Sequence, residues 1–149
     1  MTINIEDVAL AMEDNRNYAE FFVNRDDGKV IRITRDVLEA VEDDDAESLS
    51  ESSQMEIACS ESVIFNPKTP LIQIPAVPFS ERVKLMNTFV QQMANEKVRA
   101  ALSSVMQSRN PSMRFNTVMA EHIDEQKKWL ELKKSFYTGE AQKWVATLA

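Results

Sequence analysis

Few residue types in this sequence can do chemistry alone. There is one histidine and one cysteine, so no internal disulfide forms and no zinc site can be built from Cys and His alone. His122 has no nucleophile or base partner visible along the chain and reads as structural or exposed. Cys59 lies in "EIACSES", where neighbouring acids raise a thiol's pKa instead of activating it; it reads as a small apolar filler. Two glycines, Gly28 and Gly139, cannot form the clustered loop that lets a backbone cradle phosphates. No G-x-S-x-G elbow occurs. Twenty-four acidic residues offer many carboxylate pairs, but spacing singles out none for acid–base work. No catalytic, metal-binding or cofactor-binding residue is therefore assigned, and the expectation is a protein that is not an enzyme and takes no cofactor.

The residues that remain are cations. "SRNPSMRFNTV", residues 108–118, sets Arg109 and Arg114 around a helix break. Asn110-Pro111 explains itself as a helix start, because proline at the first helical position loses nothing by lacking an N–H. Arg109 precedes that start, where the helix end is positive, so it does not complement the dipole. Either both arginines pair with acids of the N-terminal half, or they form a small pocket for an anion or an acidic partner segment. The structural pairing is the favoured reading. Further on, "EQKKWLELKKSFYTGEAQKW" interleaves Lys127, Lys128, Lys133 and Lys134 with aromatics. That pattern suits single-stranded nucleic acid, by phosphate contact and base stacking. It equally suits a solvated lysine face over an aromatic core, the favoured reading because the aromatics follow the apolar stripe.

Charge frames both possibilities. Residues 1–67 carry 17 acidic and 5 basic side chains, residues 68–149 carry 7 and 12, and the whole chain of 149 residues has a formal net charge of −7. The simple expectation is mutual attraction of the halves; the alternative is a basic C-terminal face for an anionic partner. The apolar runs are too short for a membrane span. The opening "MTINIEDVALAMEDN" lacks the basic start of a secretory signal. With one cysteine, a reducing cytoplasm is the expected location.

The elements that must position these cations follow from periodicity. "IEDVALAM" predicts a short helix with Ile5, Val8, Leu10, Ala11 and Met12 near one face. Tyr18, Phe21, Phe22 and Val23, then Val30, Ile31 and Ile33, form two β-prone runs around "RDDGK". Gly28 supplies the positive φ of a hairpin turn. Thr34 is the expected N-cap of a helix with Val37, Leu38 and Val41 inward. Eight acids and no base lie between Asp36 and Glu51, which predicts a mobile acidic loop over about residues 42–53. "SQMEIACSESVIF" predicts a helix burying Met55, Ile57 or Ala58, and Ile64. Four of the five prolines then fall in residues 66–78, an extended connector laying Leu71, Ile72 and Ile74 on the core.

The remainder reads as helical. Ser80 is the expected cap of a helix burying Val83, Met86, Phe89, Val90 and Met93. Asn95 caps the next, with Val98, Ala101, Leu102, Val105 and Met106 inward. Asn110 caps a third, burying Phe115, Val118 and Met119. The last runs from about Ile123 to Leu148, with Ile123, Leu130, Tyr137, Trp144 and Leu148 at helical spacing and Gly139 as a possible bend. Most of the eight methionines fall at inward helix positions, so they read as core rather than as an adaptable groove.

These features together resemble an uncharacterised bacterial protein family of the "UPF" type, with an aromatic hairpin, a variable acidic stretch and a helical second half. "IPAVPFSERVKLMNTFVQQM" is similar to that family's Ile-Pro connector and capped Met–Phe helix. Its glycine-arginine stretch, of the form G-R-G-A-F-R-R-F-K, falls on "SRNPSMRFN": Arg109, Arg114 and Phe115 match and the glycines do not. Trp129, Leu132, Ala141 and Trp144 fit the spacing that follows. The likeness spans about residues 18–147, and it implies a fold and no activity.

The resulting expectation is a single α+β domain over 1–149, mainly helical, with an N-terminal β-hairpin packed on a bundle of five or six helices. Its expected role is that of a non-catalytic protein-interaction or regulatory module with an unidentified protein partner. Weak nucleic-acid or other anion binding by the basic C-terminal half is the alternative. An enzyme using surface or cleft carboxylates comes after that.

Overall fold

The structure, a computed structural model, describes residues 2–148. Within them lie seven α-helices and a three-stranded antiparallel sheet, so the fold is α+β and mainly helical. Contacts divide the chain into two compact units: residues 77–136, and the residues before them together with those from 137 onward. No described helix is long and apolar enough to cross a membrane.

The first unit opens with helix α1, Ile5–Glu13, capped by Asn4, whose side chain accepts the Asp7 N–H at 3.2 Å. Val8, Ala9, Ala11 and Met12 form its buried face, while Leu10, expected inward, is 62% exposed. Strands β1, Ala19–Asn24, and β2, Val30–Thr34, pair antiparallel with Val23 opposite Val30 and Phe21 opposite Arg32. Their turn closes as the sequence predicts. Gly28 sits at φ 75° and donates to the Asn24 carbonyl at 2.7 Å, and Asp27 Oδ1 accepts the Lys29 N–H at 2.9 Å.

A third strand, β3, spans Leu71–Gln73 and pairs antiparallel with β1, giving the order β2-β1-β3. The proline-rich connector is therefore an edge strand in its middle. Pro70 still supplies an acceptor: its carbonyl takes the Arg25 N–H at 2.8 Å. Arg16, left-handed at φ 62°, locks the approach to β1. Its Nη2 donates to the Ile74 carbonyl at 3.0 Å, and its guanidinium lies 4.6 Å from the Phe21 ring centroid. These contacts hold an L-residue in a conformation that costs roughly 1 kcal/mol.

Helices α2, Arg35–Glu42, and α3, Gln54–Phe65, pack on each other and on β2. Phe22, Ile33, Val37, Val41, Ile57 and Leu71 form their shared core. Thr34 stands at the N-cap position of α2 without a side-chain cap bond; its N–H donates instead to Glu56 Oε1 of α3 at 2.8 Å. The end of α2 is a Schellman motif. Asp44 is left-handed at φ 58°, Asp45 N–H reaches the Ala40 carbonyl at 2.7 Å and Asp44 N–H the Val41 carbonyl at 3.2 Å. The acidic stretch that follows holds two turns of 3-10 helix, Ala46–Ser48 and Glu51–Ser53. Ala46 and Leu49 attach it to the core. In α3, Ile57 and Ser60 are buried, whereas Met55 is 78% exposed, against expectation.

The second unit holds α4, Phe79–Gln91, α5, Glu96–Met106, α6, Pro111–Ala120, and the first part of α7, Ile123–Ala146. Helix α4 starts one residue before the expected Ser80 cap, because Glu81 and Arg82 close its first turn on the Pro78 carbonyl at 3.0 and 3.2 Å. Asn95 caps α5 as expected, accepting from Lys97 and Val98 N–H at 3.1 and 3.2 Å. Met86, Phe89, Val90, Met93, Val98, Leu102, Phe115, Met119 and Trp129 form one core. At its centre three rings meet: Phe115 to Trp129 at 5.0 Å, Phe89 to Trp129 at 5.3 Å and Phe89 to Phe115 at 6.3 Å. Edge and tilted contacts of this kind contribute about 0.5–1.5 kcal/mol each beyond area burial. Ala101, expected inward, is exposed. Of the predicted series on α7, Ile123 and Leu130 are exposed and Tyr137 is buried. The helix runs unbroken through Gly139.

Candidate functional site

Arg109 is placed by two helix ends. Ser108 Oγ donates to the Val105 carbonyl at 2.6 Å and closes α5. Asn110 stands at the N-cap of α6, at φ −122° and ψ 69°, with Pro111 following it as the first helical residue. Asn110 makes no side-chain cap bond, so the cap expected from sequence is positional only. No acidic residue lies in the first turn of α6. Arg109 and Arg114 are both exposed. Among the described residues of their own unit, neither makes an ion pair.

Beside Arg109 is a hollow of about 270 Å³ lined by Phe79, Arg109, Asn110, Pro111, Ser112 and Met113. Phe79 is the first residue of α4 and is 61% exposed; Met113, in the first turn of α6, is 71% exposed. Arg114 does not join Arg109 in the wall. Its backbone N–H reaches Asn110 O at 3.4 Å, and its side chain lies beyond the hollow. Phe79 was not singled out by periodicity, since an aromatic at a helix start carries no signal of being left in solvent. It stands thirty residues from Arg109 in the chain.

The four lysines do not gather into one patch. At about 100° per residue, Lys127 and Lys134 share a face of α7, while Lys128 and Lys133 turn roughly 100° to opposite sides. Lys128 pairs with Glu125 at 3.7 Å, an exposed contact of small energetic weight. The interleaved Trp129 is buried in the ring cluster and offers no face to a base. Elsewhere, His122 immediately precedes α7, and its carbonyl accepts the Gln126 N–H at 2.9 Å. Burial pushes the Cys59 thiol above its ordinary range, and the Glu56 carboxylate adds to this, so it is a weak nucleophile at neutral pH. Among the described residues, no three or more His, Cys, Asp or Glu side chains are gathered as metal ligands.

The chain belongs to the Uncharacterised protein family (UPF0158), whose model matches residues 1–147. No curated protein and no solved structure matches it. The match takes in α1, beyond the span of the motifs read from sequence. Those motifs are largely packing marks: Phe115, Trp129 and Ala141 are buried, while Arg109 and Arg114 face solvent.

Proposed function

We propose that this protein is a non-catalytic interaction or regulatory module that docks a partner protein at the hollow between the start of α4 and the start of α6. One observation carries the reading. Phe79 and Met113 come from different helices, both stand largely in solvent, and both wall the same hollow beside Arg109. Aromatic residues, methionine and arginine are the types enriched where proteins meet. Covering what remains exposed of each apolar side chain returns about 1–2 kcal/mol. The raised pKa of the Cys59 thiol speaks against that side chain as a catalytic nucleophile. The single cysteine fits work in a reducing cytoplasm.

The test is in-cell photocrosslinking from a benzophenone side chain at position 113. Discrete adducts that disappear when Phe79→Asp is added are expected. A smear of adducts indifferent to position 79 would remove the hollow as a docking site.

A further inference from the structure

Resting on that docking reading, we infer the partner's chemistry: an acidic segment that seats one bulky apolar side chain between Phe79 and Met113 and places a carboxylate on the Arg109 guanidinium. The walls carry one formal charge, and it is positive. No acid in the first turn of α6 is available to neutralise it. Residues 77–136 as a whole hold ten basic and six acidic side chains, so the surrounding field also favours a carboxylate and opposes a lysine-bearing segment. A guanidinium takes a carboxylate through two parallel N–H···O bonds, which fixes the segment's register as well as its charge.

A free phosphate would satisfy Arg109 but leave Phe79 and Met113 in water, so it uses half of the site. A nucleic acid strand brings a run of phosphates to a hollow with one guanidinium. Polyanion binding needs several cations acting together. One carboxylate next to one large apolar residue engages Arg109, Phe79 and Met113 together.

The experiment uses the full chain and capped nonapeptides with a central Phe, Leu or Met, flanked by Asp/Glu, by Asn/Gln or by Lys, read by fluorescence polarisation. Circular dichroism verifies that the variants stay folded, which exposed positions 79, 109 and 113 should permit. The acidic peptides should bind at least about tenfold more tightly than their Asn/Gln counterparts, about 1.4 kcal/mol. Arg109→Glu should invert the preference toward Lys peptides, and Phe79→Ala should weaken every peptide. Equal binding of acidic and amide peptides, or a Lys preference in the unmodified protein, would overturn the partner chemistry and leave the docking site standing. So would an oligothymidine that displaces the peptides, or self-association abolished by Arg109→Glu. Binding of no peptide, or binding untouched by Phe79→Ala with Met113→Ala, would overturn the docking reading too.

Discussion

The guanidinium of Arg35 grips the backbone carbonyl of Arg16 with two donors, Nε at 3.0 Å and Nη2 at 2.7 Å. Arg16 is itself left-handed and bound to the Ile74 carbonyl. Arg35 Nη2 also meets Glu20 Oε1 at 2.8 Å, and Glu20 Oε2 takes Gln73 Nε2 at 3.0 Å. One cation at the start of α2 thus connects the turn before β1 to β1 and, through Glu20, to β3.

The grip on the carbonyl should outweigh the ion pair. Arg35 is 47% exposed, so solvent screens its attraction to Glu20, which is worth about 0–1 kcal/mol. Two charge-assisted bonds to a carbonyl contribute more, so Arg35→Ala should cost about 1–2 kcal/mol in urea denaturation. Glu20→Gln should cost less than half of that. Equal losses from the two variants would transfer the effect to the ion pair.

Phe115 and its neighbour Arg114 face opposite ways, the first buried and the second exposed. Phe115→Ala removes the ring in contact with Phe89 and Trp129 and should lower stability by about 3–5 kcal/mol. Arg114→Ala should remain within about 0.5 kcal/mol. The two midpoints, measured under one set of conditions, decide it; a large effect of Arg114→Ala would reveal a structural partner for that side chain.

The two glycines should respond with opposite signs. At Gly28, φ is 75° and a Cβ would overlap the Thr2 carbonyl oxygen. Gly28→Ala should therefore cost about 2 kcal/mol or more, from conformation plus displacement of the N-terminal backbone. At Gly139 a Cβ meets nothing within 4 Å, so Gly139→Ala should stabilise by about 0.5–1 kcal/mol. A thermal midpoint raised by Gly28→Ala would contradict the first placement, and one lowered by Gly139→Ala the second.

Cys59 should titrate late. Burial is the larger cause of its raised pKa and Glu56 the smaller, so Glu56→Gln should lower the pKa only in part. The folded chain keeps its thiol proton to higher pH than the unfolded chain. Stability should accordingly be intact below the ordinary thiol range and decline as pH rises through it. Reaction with a disulfide reagent at pH 7 should be slow, and its pH profile should have its inflection above that of a free thiol. An inflection below the free-thiol value would mean an activating environment that the structure does not show.

The hairpin was legible because its turn needs one unusual residue and the chain has a glycine there. The helical half was legible because apolar residues recur three and four apart within each helix, as Met86, Phe89, Val90 and Met93 do. Strand β3 was not: three residues between prolines carry no period, and the partner strand lies nearly fifty residues earlier. Local pattern also fails to say which apolar residues stay in solvent. Met55, Ile123 and Leu130 keep the right spacing for burial and remain exposed, while the small polar Ser60 is fully buried. Of the candidate site, Arg109 was readable from its place before Asn110-Pro111. Phe79 was not, because only the fold brings the start of α4 to the start of α6.

The sheet also has a built-in stop. On the side of β3 turned away from β1, Pro75 has no N–H to offer, and the Leu71 N–H is already taken by Thr69 Oγ1 at 3.2 Å. A stray strand arriving at that rim finds little to zip onto. A proline that looks like mere punctuation in the sequence therefore leaves this rim short of the donors that edge-to-edge pairing needs.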